Sequence, residues 1–181
     1  MITDRQFILS TGQAAGFYFD CKNATLDGST LILIADEFLA EIDQLPEVPT
    51  VIAGLTMGAD PIVAAVAMRA AQVGKATNRA SIVRKKPKKH GTRNHVENEQ
   101  QRGSKVVVVD DVITSGSSTH TACKKLMESG YTIVGIICLV DRQAGGVKSL
   151  ETSIHCPVRS IFTSSDFGRI SDASADRSAT A

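Results

Sequence analysis

Residues 105–125 read K-V-V-V-V-D-D-V-I-T-S-G-S-S-T-H-T-A-C-K-K. The four consecutive valines at 106–109 are too continuous for a strand exposed on one face and too short for a helix. They predict a central strand covered on both faces, and with it a parallel sheet. Positions 114–119 are almost wholly hydroxyl side chains and glycine, and from about Ser118 the apolar spacing turns helical through Ala122, Leu126 and Met127. The local order is therefore strand, loop, helix. Such a loop offers unpaired backbone N–H groups and the positive end of a helix dipole to a phosphate. Carboxylates only accept hydrogen bonds, so Asp110 and Asp111 suit ligand hydroxyls, or a metal that the ligand carries. Phosphate, hydroxyls and cation together point to a sugar phosphate.

Two plainer readings compete. A hydrophobic strand ending in acids also occurs in P-loop NTPases, where the acid assists magnesium, but no G-x-x-x-x-G-K-[ST] occurs in the chain and the stretch from Gly12 to Gly16 lacks the lysine. A structural loop with capping hydroxyls is the other. The run of apolar residues, two acids and a T-x-G-x-[ST]-like loop resembles the 5-phosphoribosyl 1-pyrophosphate (PRPP) signature of the type I phosphoribosyltransferases.

With 181 residues and 43% hydrophobic content the chain is long enough to bury a core as one domain. Its net charge of +1 hides an asymmetry: residues 84–105 hold eight Lys/Arg against two acids, a local +6 that leaves −5 for the remainder. Cys21, Cys123, Cys138 and Cys156 are widely separated and match neither a zinc nor a disulfide pattern, which fits a reducing cytoplasm. No apolar run approaches the roughly 18 residues that span a bilayer, and the N-terminus is too polar for a secretory signal.

Outward from the central stretch, residues 50–54 predict a second buried strand, which runs into L-T-M-G-A-D-P and an alanine-rich helix over 61–72. Gly54 and Gly58 bracket a loop at that strand's carboxyl end, where open α/β sheets place ligands, so backbone donors over 56–58 are candidates for another phosphate; a plain connection is the alternative. A cap at 27–29 precedes an amphipathic helix through Ile42, closed by Pro46 and Pro49. Further strands are expected over 80–83, 131–140 and 157–163. The 131–140 strand stops at D-R-Q-A-G-G, where Arg142 needs an anionic partner, from protein or ligand. The aromatics Phe17, Tyr18 and Phe19 are either core or a surface for a flat ligand.

Residues 84–104, between these strands, carry a single core-type residue, Val96. Cation repulsion should hold this segment open until an anion neutralises it, the composition of a lid over a polyphosphate. A solvated charge run and a nucleic-acid patch are the competing readings, the latter weakened because no aromatic is interleaved for base stacking.

From about Phe7 to Gly146 the chain resembles the orotate phosphoribosyltransferases in four motifs. The family's R-K-x-x-K-x-H-G loop is matched by Arg84, Lys85, Lys88, His90 and Gly91. The resemblance implies that Arg84, Lys85, Lys88 and His90 reach the pyrophosphate of PRPP, some of them across a homodimer interface. It gives Asp110 and Asp111 the ribose hydroxyls and Thr114, Ser115, Gly116, Ser117 and Ser118 the 5-phosphate, with Met57 and Gly58 also at PRPP. It gives Arg142 the orotate carboxylate, with Tyr18, Phe19 and Thr114 bordering the base. Where the family usually reads L-K-S-G-R, this chain has Leu9, Ser10, Thr11, Gly12 and Gln13, so that lysine and arginine are absent.

The fold so implied is α/β, a type I phosphoribosyltransferase-like, Rossmann-like sheet, mainly parallel and flanked by helices, with a mobile basic lid. It is one domain over 1–170, with a base-binding hood at about 1–25, a lid at about 84–104 and a tail at 171–181 expected to fray. The implied reaction joins orotate to PRPP, releasing pyrophosphate. Magnesium travels with PRPP, without a direct protein ligand, and Asp110, Asp111, Lys88 and His90 are the catalytic candidates. A cytoplasmic homodimer that binds neither nucleic acid nor membrane completes the expectation. Two alternatives are a phosphoribosyltransferase for a different base and a non-catalytic, PRPP-sensing regulator that binds nucleic acid.

Overall fold

The computed structural model describes residues 20–86 and 95–167, together with the backbone of two short strands nearer the N-terminus. These are β1 (Phe7–Ile8) and β2 (Ala14–Ala15), paired antiparallel. Then follow α1 (Lys22–Thr25), α2 (Gly28–Asp43), β3 (Val51–Leu55), α3 (Asp60–Gln72), β4 (Arg79–Val83), β5 (Val96–Glu97), β6 (Lys105–Ile113), α4 (Ser117–Glu128), β7 (Thr132–Asp141), α5 (Gly146–Ile154) and β8 (Val158–Thr163). The main sheet has the order β5-β4-β3-β6-β7-β8 and is parallel except for β5.

Val106, Val107, Val108 and Val109 are fully buried, as the unbroken apolar run demands of a strand covered on both faces. Because side chains alternate along a strand, Val107 and Val109 pack with residues of α2 and α3, whereas Val106 and Val108 pack with residues of α4. Helix α2 starts where Asp27 accepts from the Thr30 N–H at 2.9 Å, a side-chain cap of the kind the sequence suggested. Its apolar stripe, Ile34, Ala35, Phe38, Leu39 and Ile42, is buried. Fully burying a side chain such as Phe38 contributes about 1.5–3 kcal/mol. Helix α3 carries Pro61 in its first turn, where the missing N–H costs no bond.

The sequence-based strands at 50–54, 80–83, 131–140 and 157–163 each lie within one residue of their observed bounds. Three differences matter. Strand β6 continues through Ile113, so the two acids are strand residues rather than its end. Helix α5 was not read from the sequence, although Val147, Leu150 and Ile154 recur at helical spacing within its nine residues G-V-K-S-L-E-T-S-I. Finally, part of the expected open segment at 84–104 is pinned. Val96 is 4% exposed and pairs with Val83, the Arg84 N–H donates to the His95 carbonyl, and the Tyr131 hydroxyl accepts from the Gln100 N–H at 2.7 Å. The one apolar residue of the basic run is thus its anchor to the sheet edge.

This topology fixes where a ligand meets the sheet. From β3 the chain winds through α3 to β4 on one side; from β6 it winds through α4 to β7 and through α5 to β8 on the other. The winding direction reverses between β3 and β6, and the loops leaving their carboxyl ends diverge there to open a crevice.

Candidate functional site

The first wall of that crevice is the loop between β3 and α3, residues 56–59. Ala59 N–H donates to the Leu55 carbonyl, Asp60 N–H to the Met57 carbonyl, and the Thr56 hydroxyl to Asp60 Oδ2 at 2.7 Å. The Thr56–Met57 peptide is cis. A β-carbon at Gly58 would stand 2.7 Å from Asp111 Oδ1 and 2.9 Å from Oδ2, so the backbone here lies directly on that carboxylate. Two sequence candidates separated by more than fifty positions are therefore in contact. Met57, also a candidate, is 73% exposed.

The second wall is the loop from β6 to α4. Gly116 holds φ +77 at the start of α4, a left-handed conformation that suits glycine. Its carbonyl accepts from His120 N–H, which leaves the N–H groups of Ser117, Ser118 and Thr119 without helical partners at the open end. Ser115 and Ser117 hydroxyls lie 3.2 Å apart, and Ser117 and Ser118 are exposed. Beneath them, Gly146 N–H donates to the Thr114 carbonyl at 3.1 Å, and a β-carbon at Gly146 would strike that carbonyl at 2.4 Å. The start of α5 thus supports the phosphate-type loop, a role the sequence signalled only as a G-G pair.

Adjacent strand residues face opposite sides, and this separates the two acids. Asp111 is half-buried on the face of the Gly58 loop. Asp110 turns toward α4, is 6% exposed, and accepts from the Thr119 hydroxyl at 2.6 Å through Oδ2 and from Asp111 N–H through Oδ1. Burial pushes its carboxyl up to about 7 and the neighbouring Asp111 charge adds to the rise, while the Thr119 hydroxyl pulls it down. The expected pair of equivalent ribose ligands is thus one open carboxylate and one buried beneath the first turn of α4. Cys21, at the start of α1, is close enough for Asp111 to act on it. Burial first, then the Asp111 and Asp20 charges, hold its thiol up near 11, protonated at neutral pH.

The third side is the end of β7. Arg142 N–H donates to the Ile113 carbonyl at 2.9 Å, which places Arg142 at the carboxyl end of β6, two positions beyond Asp111 along that strand. It is half-buried, and burial lowers the pKa of its guanidinium. Arg84, expected at a polyphosphate, directs its guanidinium to Glu97 at 2.9 Å, a half-buried pair at the edge of the sheet. Lys85 is exposed, and the carbonyls of Arg84 and Lys85 both accept from Lys125 Nζ on α4, at 2.8 and 2.9 Å. Lys125 so ties the root of the basic segment to the helix that opens at the phosphate-type loop; its reach across some forty positions left no mark in the sequence. Lys88, His90, Tyr18 and Phe19, together with Ser10 and Gln13, lie outside the described residues.

Among the described residues no three His, Cys, Asp or Glu side chains cluster as a metal cage. Asp111 presents a carboxylate to the crevice. A magnesium ion that arrives with a polyphosphate would be held chiefly by substrate phosphates and water and needs no protein cage. No helix of the described residues is long and apolar enough to cross a membrane.

Comparison with known proteins gives a consistent result. Residues 24–171 match the phosphoribosyl transferase domain family. The chain is 40% identical over 146 residues to an orotate phosphoribosyltransferase of Tropheryma whipplei, covering 81% of this chain and 67% of that protein. It is 39% identical over 161 residues to the one of Thermosynechococcus vestitus, covering 88% and 82%. Orotate phosphoribosyltransferase of Mycobacterium tuberculosis H37Rv, solved with Fe(III) dicitrate, superposes with a TM-score of 0.76 at 30% identity, over 91% of this chain and 90% of that one. The same protein solved with 5-phospho-α-D-ribosyl 1-diphosphate gives 0.71 at 28% identity, over 90% of each chain.

Proposed function

This chain belongs to the phosphoribosyl transferase family, and from that premise we propose that it transfers the phosphoribosyl group of PRPP to orotate, giving orotidine 5-monophosphate and pyrophosphate in pyrimidine biosynthesis. The observation that carries the reading is the meeting, at one topological switch point, of the Gly58 loop, the Asp111 carboxylate, the open N-terminus of α4 and the strand end bearing Arg142. Each matches one part of the two substrates: diphosphate, ribose hydroxyls, 5-phosphate and orotate carboxylate.

The 5-phosphate sits on the N–H groups of Ser117 and Ser118, with the hydroxyls of Thr114, Ser115 and Ser118 around it. Asp111 accepts from the ribose hydroxyls. Breaking the bond at the anomeric carbon leaves a cation-like sugar and a departing polyanion, so Asp110 and Asp111 lie where negative charge lowers the barrier. Backbone N–H groups at Met57 and Gly58 meet the diphosphate, and Lys85, Lys88 and His90 neutralise it as it leaves. Magnesium, when bound with PRPP, offsets charge on that leaving group. Arg142 pairs with the orotate carboxylate and so selects an acidic base, while Tyr18 and Phe19 border the ring.

We read the working form as a homodimer in the cytoplasm. Met57, Ala64 and Met68 leave an exposed apolar strip along α3 and the loop before it, which a second copy would cover beside the phosphate loops. The four cysteines are free, as a reducing compartment would keep them.

The donor half of the reading is tested by thermal shift. Saturating PRPP with magnesium should stabilise the protein by about 2.7 kcal/mol at a hundredfold excess over Kd, and Asp111→Asn should remove most of that gain with little change in the unliganded midpoint. Equal stabilisation of both proteins would remove Asp111 from the site.

A further inference from the structure

The turn that carries Arg142 is gripped from an unexpected quarter. Gln143, the next residue, holds φ +56, a left-handed conformation that non-glycine residues adopt rarely. Its N–H donates to Asp141 Oδ1 at 2.8 Å. Its side-chain Oε1 accepts from two hydroxyls, Ser164 at 2.7 Å and Ser165 at 2.6 Å. The Ser164 hydroxyl also lies 3.3 Å from the Arg142 carbonyl. Having one proton, it donates chiefly along the shorter contact.

These serines open a 3-10 turn, Ser164–Phe167, that leaves β8. The turn is itself closed by Asp166, whose Oδ2 accepts from Thr163 N–H at 2.6 Å and from the Thr163 hydroxyl at 2.8 Å, and by the rings of Phe162 and Phe167, 5.8 Å apart. Thr163 is paired in register with Asp141 on β7. The β8 corner and the Arg142 turn are therefore one bracket built on adjacent strands. Meanwhile Arg142 N–H is held by the Ile113 carbonyl at the end of β6, the strand that carries Asp111.

We infer that Gln143, clamped by Ser164 and Ser165, is a positioning residue that fixes the Arg142 turn and thereby sets affinity for the carboxylate of the base. This rests on the reading of Arg142 as the orotate contact. Among the described residues the hydrogen bonds of Gln143, Ser164 and Ser165 reach Asp141, the Arg142 carbonyl and one another but none of residues 114–118, so losing the clamp should weigh on the base more than on PRPP. A guanidinium meets a carboxylate bidentately only over a narrow range of orientations, which is why a fixed backbone matters here more than at a single-point contact.

Two variants separate positioning from simple turn stability. Gln143→Gly accepts the left-handed φ without strain yet deletes the side-chain acceptor, and the double variant Ser164→Ala, Ser165→Ala deletes both donors. All side chains concerned are at least partly exposed, and circular dichroism with thermal midpoints checks the fold. Steady-state kinetics on wild type and both variants should give an orotate KM raised roughly three- to thirty-fold, the equivalent of one or two neutral hydrogen bonds. The KM for PRPP and kcat should stay within about twofold, since the deleted hydrogen bonds involve none of residues 114–118. Ser165→Thr, which keeps the hydroxyl, should restore wild-type orotate KM. Unchanged orotate KM in both variants overturns the inference, as does an equal rise for both substrates. Wild-type protein that consumes PRPP with another base but never with orotate overturns instead the premise on which the inference stands.

Discussion

Replacing Thr119 with valine should move the pH dependence of catalysis in a direction fixed by the structure. Thr119 is 1% exposed and donates to Asp110 Oδ2 at 2.6 Å, and valine keeps its shape while removing the donor. Burial already holds the Asp110 carboxyl up near 7, and the hydroxyl is what restrains it. A hydrogen bond to a charged group contributes about 1.5–3 kcal/mol, and one pKa unit corresponds to about 1.4 kcal/mol. Allowing for the weaker bond to the neutral acid, Thr119→Val should raise the Asp110 pKa by about one unit further. If the Asp110 charge assists the cation-like transition state, kcat/KM for PRPP falls on the acid side of this pKa. The limb should lie about one pH unit higher in the variant. Titration of PRPP itself is common to both proteins and drops out of the comparison. Stability follows the same group. Its folded pKa is raised above the unfolded value of about 3.9, so between about pH 4 and 7 the folded state binds more protons and stability falls as pH rises, levelling off above 7. In Thr119→Val that fall continues to higher pH, so its deficit relative to wild type should be larger at pH 8 than at pH 5. An acid limb that coincides with wild type, or a deficit equal at both pH values, would refute the reasoning.

Other outcomes follow from the same geometry. Gly58→Ala places a β-carbon 2.7 Å from Asp111 Oδ1 and must push loop and carboxylate apart; kcat/KM for PRPP should drop at least about tenfold, or 1.4 kcal/mol, with the thermal midpoint nearly unchanged, and kinetics beside calorimetry checks it. Arg142→Ala should cost roughly 1.5–3 kcal/mol in orotate binding and little in PRPP binding; equal losses measured by titration calorimetry would argue against a base contact. If Lys88 serves the neighbouring subunit, mixing Lys88→Ala chains with Asp110→Asn chains should restore activity up to about a quarter of wild type, the statistical limit for two-fold assembly. No recovery after confirmed subunit exchange would place Lys88 in its own subunit's site.

How much of this was legible in the sequence varied with the range of the interaction. The strands announced themselves because four valines in a row have no other comfortable home, and Gly116 was legible because glycine beside hydroxyls at a strand-to-helix junction has few other uses. The contact of Gly58 with Asp111 was not legible: it exists because β3 and β6 are neighbours in the sheet, and strand order is not written locally. The separate fates of Asp110 and Asp111 follow from strand alternation once the strand is known to run through Ile113; a strand that stops at Val109 leaves both acids in the loop. Val96 was legible as apolar but not as an anchor, since nothing near it in sequence names Val83 as its partner. Lys125 and the Gln143 bracket depend wholly on tertiary approach and gave no local signal.

The most direct measurement is turnover of a panel of bases by the purified protein with PRPP and magnesium, following base consumption and pyrophosphate release together. Transfer to orotate predicts that orotate is consumed mole for mole with pyrophosphate released, that uracil, lacking the carboxylate, is used far less, and that omitting PRPP abolishes the reaction. Efficient use of adenine, guanine or uracil beside negligible use of orotate would contradict it.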